Sequence, residues 1–411
     1  MKKIKKLIGE ELIKGSIILF ILMGIYNVFN YIFQMSMAKI LGPSDYGILA
    51  VLMSIIYIFA IPNEAIQTIS AKFSSSYNSK KGYGEMKDIL VRGLKKGFLF
   101  SSCIFIIYSF LGIFISRYLK IDYSLIVFTG LFIIIVFTIP VVRGVLQGRK
   151  KFGYLGINLV IESLIKLIFS LALVFIGFGV FGSIVGVLMG GVVSFFVAFL
   201  SLKEVIKAKK KKVNFGNNWS QSISVFVAMT GIVLMYSLDI IFARRFFNPE
   251  LAGIYAFVSL IAKTIIFVSI AIGKAMFPIS NESYEKGDDT KKLLKKSFTL
   301  VLLISSVALL FYALFPKTII YLISFGSEAY TSASGILFIL GLAASFISFS
   351  NILLLYNLAV NKIKKPPYEI IFFVIIQIGL FYLFNNSLLS FSLAFLISSA
   401  MFFFYCLNIR D

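Results

Sequence analysis

The chain has 411 residues, of which 59% are hydrophobic and only 14% charged, and its formal net charge is +22. Soluble domains are about half apolar and a quarter charged, so this composition excludes a soluble globular domain and predicts a polytopic membrane protein. The sequence has no histidine and no metal-ligand spacing around its two cysteines, so no metal site is expected.

Apolar runs of about 20 residues, the length that crosses a bilayer core, predict an all-α membrane protein with about twelve transmembrane helices. Six of them fall in each half of the chain. In chain order, the predicted spans are residues 16–38, 46–70, 93–116, 123–146, 154–177, 180–202, 219–243, 253–277, 297–323, 332–356, 367–384 and 387–408.

The positive charge is distributed unevenly between the predicted loops. Most of the 40 Lys and Arg residues lie in the N-terminal segment and in every second loop. This bias predicts a multi-pass protein of the cell (plasma or inner) membrane with both termini in the cytoplasm. Membrane orientation and anionic lipids explain the bases, so membrane lipids are expected partners and nucleic acid is not.

A short motif occurs twice, half a chain apart. Residues 38–50 read A-K-I-L-G-P-S-D-Y-G-I-L-A, and residues 243–256 read A-R-R-F-F-N-P-E-L-A-G-I-Y-A. The Pro and Gly of the first copy fall on those of the second at an offset of 206 residues. Self-similarity of this kind in a membrane chain predicts a duplicated unit, the usual build of a transporter.

The duplication sets the predicted domains. Residues 1–202 form an N-terminal six-helix lobe, residues 203–218 a basic cytoplasmic linker, and residues 219–411 a C-terminal six-helix lobe. For the basic run of the linker, a patch that contacts lipid headgroups is favoured over a regulatory role.

Charges inside a bilayer cost about 2.5–3.5 kcal/mol each on insertion scales, and five ionisable residues within predicted spans stand out as candidates. Glu162 and Lys166 are four residues apart and share a helix face, so they form either a self-neutralising pair or a cationic ligand site that Glu162 tunes. Lys263 faces a hydrated cavity or a partner such as Asp239. These three residues, Lys166, Lys263 and Glu162, are the candidate substrate-binding residues, because paired mid-membrane lysines suit a ligand that carries phosphate.

Two acids are candidates for coupling to H⁺ or Na⁺, and no other cofactor is expected. Glu64 follows Pro62, which is expected to kink its helix, and Asp239 lies within the seventh span. The bases that precede the two motif copies, Lys39, Arg244 and Arg245, are candidate gating residues at the outer end. Without a P-loop, an aspartate cluster or a catalytic triad, the sequence predicts no enzyme and no catalytic residue.

The repeated motif resembles a known family. L-G-P-S-D-Y-G-I-L-A is similar to the "LG…YG" element of polysaccharide flippases, and D-I-I-F-A-R-R-F-F-N-P-E-L-A-G-I-Y-A, followed by A-M-F-P at 275–278, resembles their second-half element. These flippases belong to the multidrug/oligosaccharidyl-lipid/polysaccharide exporter superfamily.

The resemblance implies two six-helix lobes around a central cavity. It also implies translocation of a polyprenyl-diphosphate-linked oligosaccharide to the outer leaflet by alternating access, with other polysaccharide-assembly membrane proteins as partners. A cation-coupled multidrug antiporter of the same superfamily is the alternative. A membrane glycan polymerase or ligase is disfavoured by the short external loops, and a scaffold role stays open.

Overall fold

The computed structural model describes residues 2–78, 81–213, 220–285, 289–360, 363 and 368–408. These residues are almost entirely helical. The helices are α1 Lys2–Phe59, α2 Ile61–Asn78, α3 Tyr83–Leu119, α4 Tyr123–Gly130, α5 Phe132–Gly148, α6 Phe152–Leu173, a π-helical turn Val174–Phe178, α7 Gly179–Leu200, α8 Lys203–Lys207, α9 Ser220–Phe246, α10 Pro249–Ala262, α11 Thr264–Glu285, α12 Lys291–Leu314, α13 Pro316–Ile323, a 3₁₀ segment Glu328–Ile336, α14 Leu337–Ala359, α15 Glu369–Leu383 and α16 Leu388–Leu407.

The described helices confirm the all-α membrane architecture. Among the described residues, nine helical stretches are long and apolar enough to cross a membrane. Two of them, Ile21–Asn78 and Phe152–Leu200, each cover most of two predicted spans, and α15 is a shorter apolar helix. The lengths of the apolar runs therefore predicted where helices occur. The reason is that backbone N–H and C=O groups without hydrogen bonds are too costly in hydrocarbon, and a helix satisfies all of them within one segment.

A break inside α1 separates the first two predicted spans. Gly42 has φ 71° and ψ 173°, a conformation that residues with a Cβ rarely adopt. Pro43 follows at the start of the next helical part, where its missing N–H leaves no helix hydrogen bond unmade. One helical part therefore ends at this dipeptide and the next begins there. The predicted spans left residues 39–45 as a loop, but these residues are helical except at the break.

The chain forms two compact units. The first contains Met1–Leu41 and Phe59–Asn217, and the second contains Gly42–Ile58 and Asn218–Asp411. Residues 42–58 therefore pack with the second unit although they precede most of the first unit in sequence. The predicted lobes, residues 1–202 and 219–411, are instead continuous in sequence. That these lobes are the functional halves of the protein stays a prediction.

In the second unit, the two copies of the repeated motif pack against each other through their equivalent glycines. A Cβ on Gly47 would lie 2.9 Å from the Cα of Gly253, and one on Gly253 would lie 1.6 Å from the carbonyl oxygen of Pro43. Next to this contact, the ring of Tyr46 meets that of Phe257 edge to face, with centroids 5.6 Å apart. Only glycine allows the two backbones to approach this closely.

In the first unit, α6 and α7 pack closely through small residues. A Cβ on Gly190 would lie 2.6 Å from the carbonyl oxygen of Glu162. Small residues let transmembrane helices approach until their backbones touch. Ser194, one turn beyond Gly190 on α7, is thereby brought beside polar side chains of α6.

Candidate functional site

A buried polar network lies between α5, α6 and α7 of the first unit. Arg143 donates from Nε to Oδ1 of Asn158 at 2.8 Å and from Nη2 to Oγ of Ser194 at 3.1 Å. The same Nη2 forms an ion pair with the carboxylate of Glu162. Asn158 also donates to the backbone oxygen of Ser194 at 2.6 Å. The guanidinium of Arg143 thus connects three helices through one carboxylate, one amide and one hydroxyl.

Lys166 is buried one turn further along α6, and its ammonium reaches α1. Lys166 donates to Oδ1 of Asn30, and its Nζ lies 4.4 Å from the centroid of the Phe33 ring. The Nδ2 of Asn30 donates to the backbone oxygen of Tyr26 at 2.8 Å, which turns the amide oxygen toward the lysine. A neutral amide and an aromatic face are its contacts, and both are weaker partners for a cation than a carboxylate.

The pairing differs from the one the spacing of α6 favours. Glu162 makes its ion pair with Arg143 of α5, whereas Lys166, its neighbour at i+4, is hydrogen bonded to an amide. A guanidinium carries several N–H donors in a fixed geometry, and α5 lies close enough for Arg143 to give one of them to Glu162 while another reaches Asn158. The network therefore brings two cations and one carboxylate together, and the positive charge of Lys166 is not cancelled by an ion pair of its own.

The second unit holds a different cluster, formed by α9 and α10. Asp239 is fully buried and accepts from Lys263 Nζ at 2.7 and 2.8 Å and from Ser259 Oγ at 2.7 Å. Tyr255 Oη donates to the same carboxylate at 3.2 Å. Of the two environments considered for Lys263, the structure shows the ion pair with Asp239. One cation and one carboxylate cancel here, and the hydroxyls satisfy the remaining acceptor capacity.

Helix periodicity explains why each cluster forms. Asn158, Glu162 and Lys166 follow one another at intervals of four residues on α6, as do Tyr255, Ser259 and Lys263 at α10. Residues four apart lie on one helix face, so each set makes a polar ridge on an otherwise apolar helix. Lys263 follows the last residue of α10, where the chain turns before α11 begins at Thr264.

The remaining predicted site residues lie elsewhere. Glu64 is on the exposed face of α2 in its first turn, and Pro62 occupies the start of that helix rather than a kink within it. Lys39 is exposed on α1. Arg244 is buried and Arg245 exposed in the last turn of α9, and Arg244 interacts electrostatically with Asp45. Their proposed roles in coupling and gating stay predictions.

Sequence reasoning missed several members of the two clusters. Arg143, Asn158, Ser194, Tyr255 and Ser259 were not predicted as members of a site. A usable signal was present, because polar residues at i, i+4 and i+8 in an apolar helix mark a face that does not contact lipid. Within the described residues, no three acidic or cysteine side chains come together as a metal site would require.

Replacing Arg143 tests the first cluster. Arg143→Gln should lower the free energy of unfolding by about 3 kcal/mol, because Glu162 keeps its charge and loses its ion-pair partner. The double variant Arg143→Gln/Glu162→Gln should recover most of the loss. Thermal unfolding in detergent measures both effects.

Arg117→Gln is the matched control for this experiment. Arg117 is exposed in the last turn of α3, so its loss should cost less than about 1 kcal/mol. Equal effects of the Arg117 and Arg143 substitutions would contradict the network.

The helices and the two compact units define the class of protein. An inward-facing multidrug resistance MATE family transporter of the MOP superfamily matches with a TM-score of 0.74, over 93% of this chain and 94% of its own, at 12% identity. A MATE protein in complex with MaD5 matches with a TM-score of 0.65, over 96% of this chain and 93% of its own, at 15% identity. At such identities the likeness shows the fold alone: a multi-pass membrane protein with the fold of the MOP superfamily.

The family follows from the sequence match. Residues 12–284 match the family described as polysaccharide biosynthesis protein. This match spans more than half of the chain, so the chain belongs to that family, and the superfamily predicted from the repeated motif is confirmed. The chain is also 26% identical over 372 residues to the uncharacterized membrane protein MJ1375 of Methanocaldococcus jannaschii, covering 85% of this chain and 84% of that protein.

Proposed function

We propose that the protein translocates a polyprenyl-diphosphate-linked oligosaccharide from the cytoplasmic to the outer leaflet of the cell membrane by alternating access, with both termini in the cytoplasm. The observation that carries the proposal is the excess cation of the first cluster. Lys166 is buried with an amide and a ring as the contacts of its ammonium, and it shares the charge of Glu162 with Arg143, which forms the ion pair with that acid. Two buried cations that share one carboxylate leave an excess positive charge, which suits an anionic ligand.

The family match supports this ligand class, because the family is named for polysaccharide biosynthesis. Membrane-bound glycan precursors are carried on prenyl lipids through a diphosphate. The diphosphate supplies the negative charge that Lys166 attracts, and the prenyl tail stays in the hydrocarbon.

The second cluster supplies the step that reverses binding. Lys263 attracts the diphosphate only when Asp239 releases it, because both anions compete for one ammonium. Entry of H⁺ or Na⁺ at Asp239 frees Lys263, and loss of that ion restores the pair. An ion drives the cycle only if it binds one conformation more tightly than the other.

Cation-coupled multidrug antiport is the second candidate, and the pair of Asp239 with Lys263 favours it. A buried carboxylate already held by an internal cation is a site from which an organic cation displaces the lysine. This mechanism requires Asp239 and gives Lys166 no role.

The two candidates separate in a reconstituted assay. Proteoliposomes containing a fluorescent polyprenyl-diphosphate oligosaccharide are treated with dithionite, which bleaches the label in the outer leaflet. The rate of translocation should fall about tenfold or more for Lys166→Gln, because a charge-assisted contact is lost. Uptake of an organic cation dye under an imposed H⁺ or Na⁺ gradient is measured in parallel.

Lys317→Gln serves as the matched control, since Lys317 is exposed near the start of α13. Translocation by Lys166→Gln at the wild-type rate would contradict the lipid-linked substrate. Gradient-driven dye uptake that Asp239→Asn abolishes and Lys166→Gln leaves intact would establish the antiporter instead.

A further inference from the structure

The basic segment after α7 is fixed to the first unit. Residues 203–213, called the strap below, comprise α8 and an extended tail. Lys87 of α3 donates from Nζ to the backbone oxygens of Ile206, at 2.7 Å, and Ala208, at 2.9 Å. The backbone N–H of Lys211 donates to the oxygen of Gly84 at 3.0 Å. Backbone contacts of this kind hold the path of the strap independently of its own side chains.

Asp88 anchors the end of the strap. This fully buried carboxylate accepts from the backbone N–H of Val213 at 2.8 Å and from Nε of Arg92 at 2.8 Å. Arg92 in turn donates to the carbonyl oxygen of Val213 at 3.1 Å. The side chain of Val213 is buried in the apolar cluster that contains Met86 and Leu90. The backbone N–H and C=O of Val213 are thus hydrogen bonded, and its side chain is packed in an apolar cluster.

Three charged side chains of the strap are used in ion pairs. The Arg149 guanidinium donates to Glu204 and holds the pKa of that carboxyl below its ordinary value. Lys211 pairs with Glu85 at 2.9 Å, and the hydrogen bond raises the pKa of the lysine. Lys210 lies 3.4 Å from Asp88. The one acid of the strap is therefore neutralised by a residue outside it.

Four other lysines of the strap are exposed and make no side-chain hydrogen bond or ion pair with any residue that the structure describes. They are Lys203, Lys207, Lys209 and Lys212. Since the backbone beneath them is fixed, these four ammonium groups form a set of uncompensated cations on an ordered surface. A flexible basic linker would lose much more freedom on binding the same ligand.

The strap lies near the lipid-exposed part of α3. Beyond the anchor Asp88, this helix continues through the exposed Lys95 and Lys96 to Phe98, Leu99 and Phe100, which are 54, 56 and 59% exposed. Asp88 and Phe98 are separated by about 15 Å along the helix at 1.5 Å per residue. The anchor of the strap therefore lies just beyond the end of an apolar belt, where lipid headgroups are expected.

We propose that the strap is a preformed docking surface for anionic phospholipid headgroups, with Lys203, Lys207, Lys209 and Lys212 as its cationic contacts and Asp88 as the residue that positions them. The proposal is independent of the transported substrate. Its distinctive feature is that the fixed backbone, and not the number of lysines alone, determines the affinity.

Trp219, the only tryptophan of the sequence, follows the strap by six residues and provides a reporter. Purified protein is titrated with mixed micelles that contain brominated phosphatidylglycerol or brominated phosphatidylcholine, and quenching of Trp219 is followed. The wild type should respond at a lower fraction of the anionic lipid. Replacing the four lysines by glutamine should weaken this response about 600-fold, since each base near an anionic surface contributes about fivefold.

The matched control removes the same charge from α12. Lys291, Lys292, Lys295 and Lys296 are exposed, and their replacement by glutamine should leave the response unchanged. Equal losses in the two quadruple variants, equal responses to the two lipids, or displacement by excess soluble RNA but not by anionic lipid would overturn the proposal.

Two further variants separate a preformed surface from general electrostatic attraction. Asp88→Asn releases the anchor and makes the protein more positive, so general attraction predicts an equal or stronger response. Gly84→Leu displaces the strap without changing charge, because a Cβ there would lie 2.4 Å from the backbone oxygen of Lys209. The preformed surface predicts about a tenfold weaker response in both. Wild-type responses from both variants, each monodisperse in detergent, would refute it.

Discussion

Asp239→Asn should lower the free energy of unfolding by about 3–5 kcal/mol, the cost of leaving a buried ion without its partner. Lys263 is 4% exposed and contacts both carboxylate oxygens of Asp239, so the neutral amide leaves a buried ammonium without its counter-ion. Thermal unfolding in detergent at constant lipid content measures the change. A double variant distinguishes the free-energy cost of an unpaired buried charge from the net contribution of the ion pair to stability.

In the double variant Asp239→Leu/Lys263→Met, both charges are removed and apolar side chains replace them. Stability should return close to that of the wild type, because a buried pair gains little over well-packed apolar residues. Glu250→Gln, an exposed acid in the first turn of α10, should change stability by less than about 1 kcal/mol. If Asp239→Asn unfolds at the wild-type temperature, the pair is not closed in the folded protein.

Gly253→Ala should prevent the second unit from packing as described. The added Cβ would lie 1.6 Å from the backbone oxygen of Pro43, and a backbone atom cannot move away as the end of a side chain can. Overpacking of a core costs about 1–3 kcal/mol when side chains yield, so a larger loss is expected here. The yield of monodisperse protein and its unfolding temperature give the measurement.

Gly379→Ala is the control for this substitution, because nothing lies within 4 Å of a Cβ at that position of α15. Alanine in a helix interior is better than glycine by about 0.5–1 kcal/mol, so the control should be neutral or stabilising. Opposite signs for the two glycine-to-alanine changes are therefore expected. A fully stable Gly253→Ala would show that the two motif copies do not touch in solution.

The two clusters differ in net charge, and this difference determines whether a substitution in each cluster should affect mainly stability or mainly transport. The second cluster is neutral in total, so breaking it affects stability first. The first cluster has two cations and one carboxylate, so neutralising Lys166 removes a charge that no ion pair within the cluster requires. We therefore expect Lys166→Gln to reduce transport more than stability and Asp239→Asn to reduce both.

The sequence by itself determined the membrane class, the helices and the repeat. Apolar runs of sufficient length have only one low-energy structure in hydrocarbon, because an isolated span must satisfy its own backbone as a helix. The repeated Pro and Gly at an offset of 206 residues marked two segments that the structure places in direct contact at Gly47 and Gly253. Three of the five ionisable candidates, Lys166, Asp239 and Lys263, are buried in the structure, and the sequence could single them out because a charge inside an apolar run is conspicuous.

Only the tertiary structure decided which of these charges meet. On α6, the spacing of Glu162 and Lys166 allows a pair within one helix, yet Glu162 pairs with Arg143 because α5 brings Nη2 of that arginine to the carboxylate from the side. The packing of residues 42–58 within the second unit follows in the same way from glycine contacts between residues about 200 apart in sequence. Periodicity within a helix fixes the face on which a residue lies, whereas the neighbour that covers that face is set by how helices distant in sequence pack together.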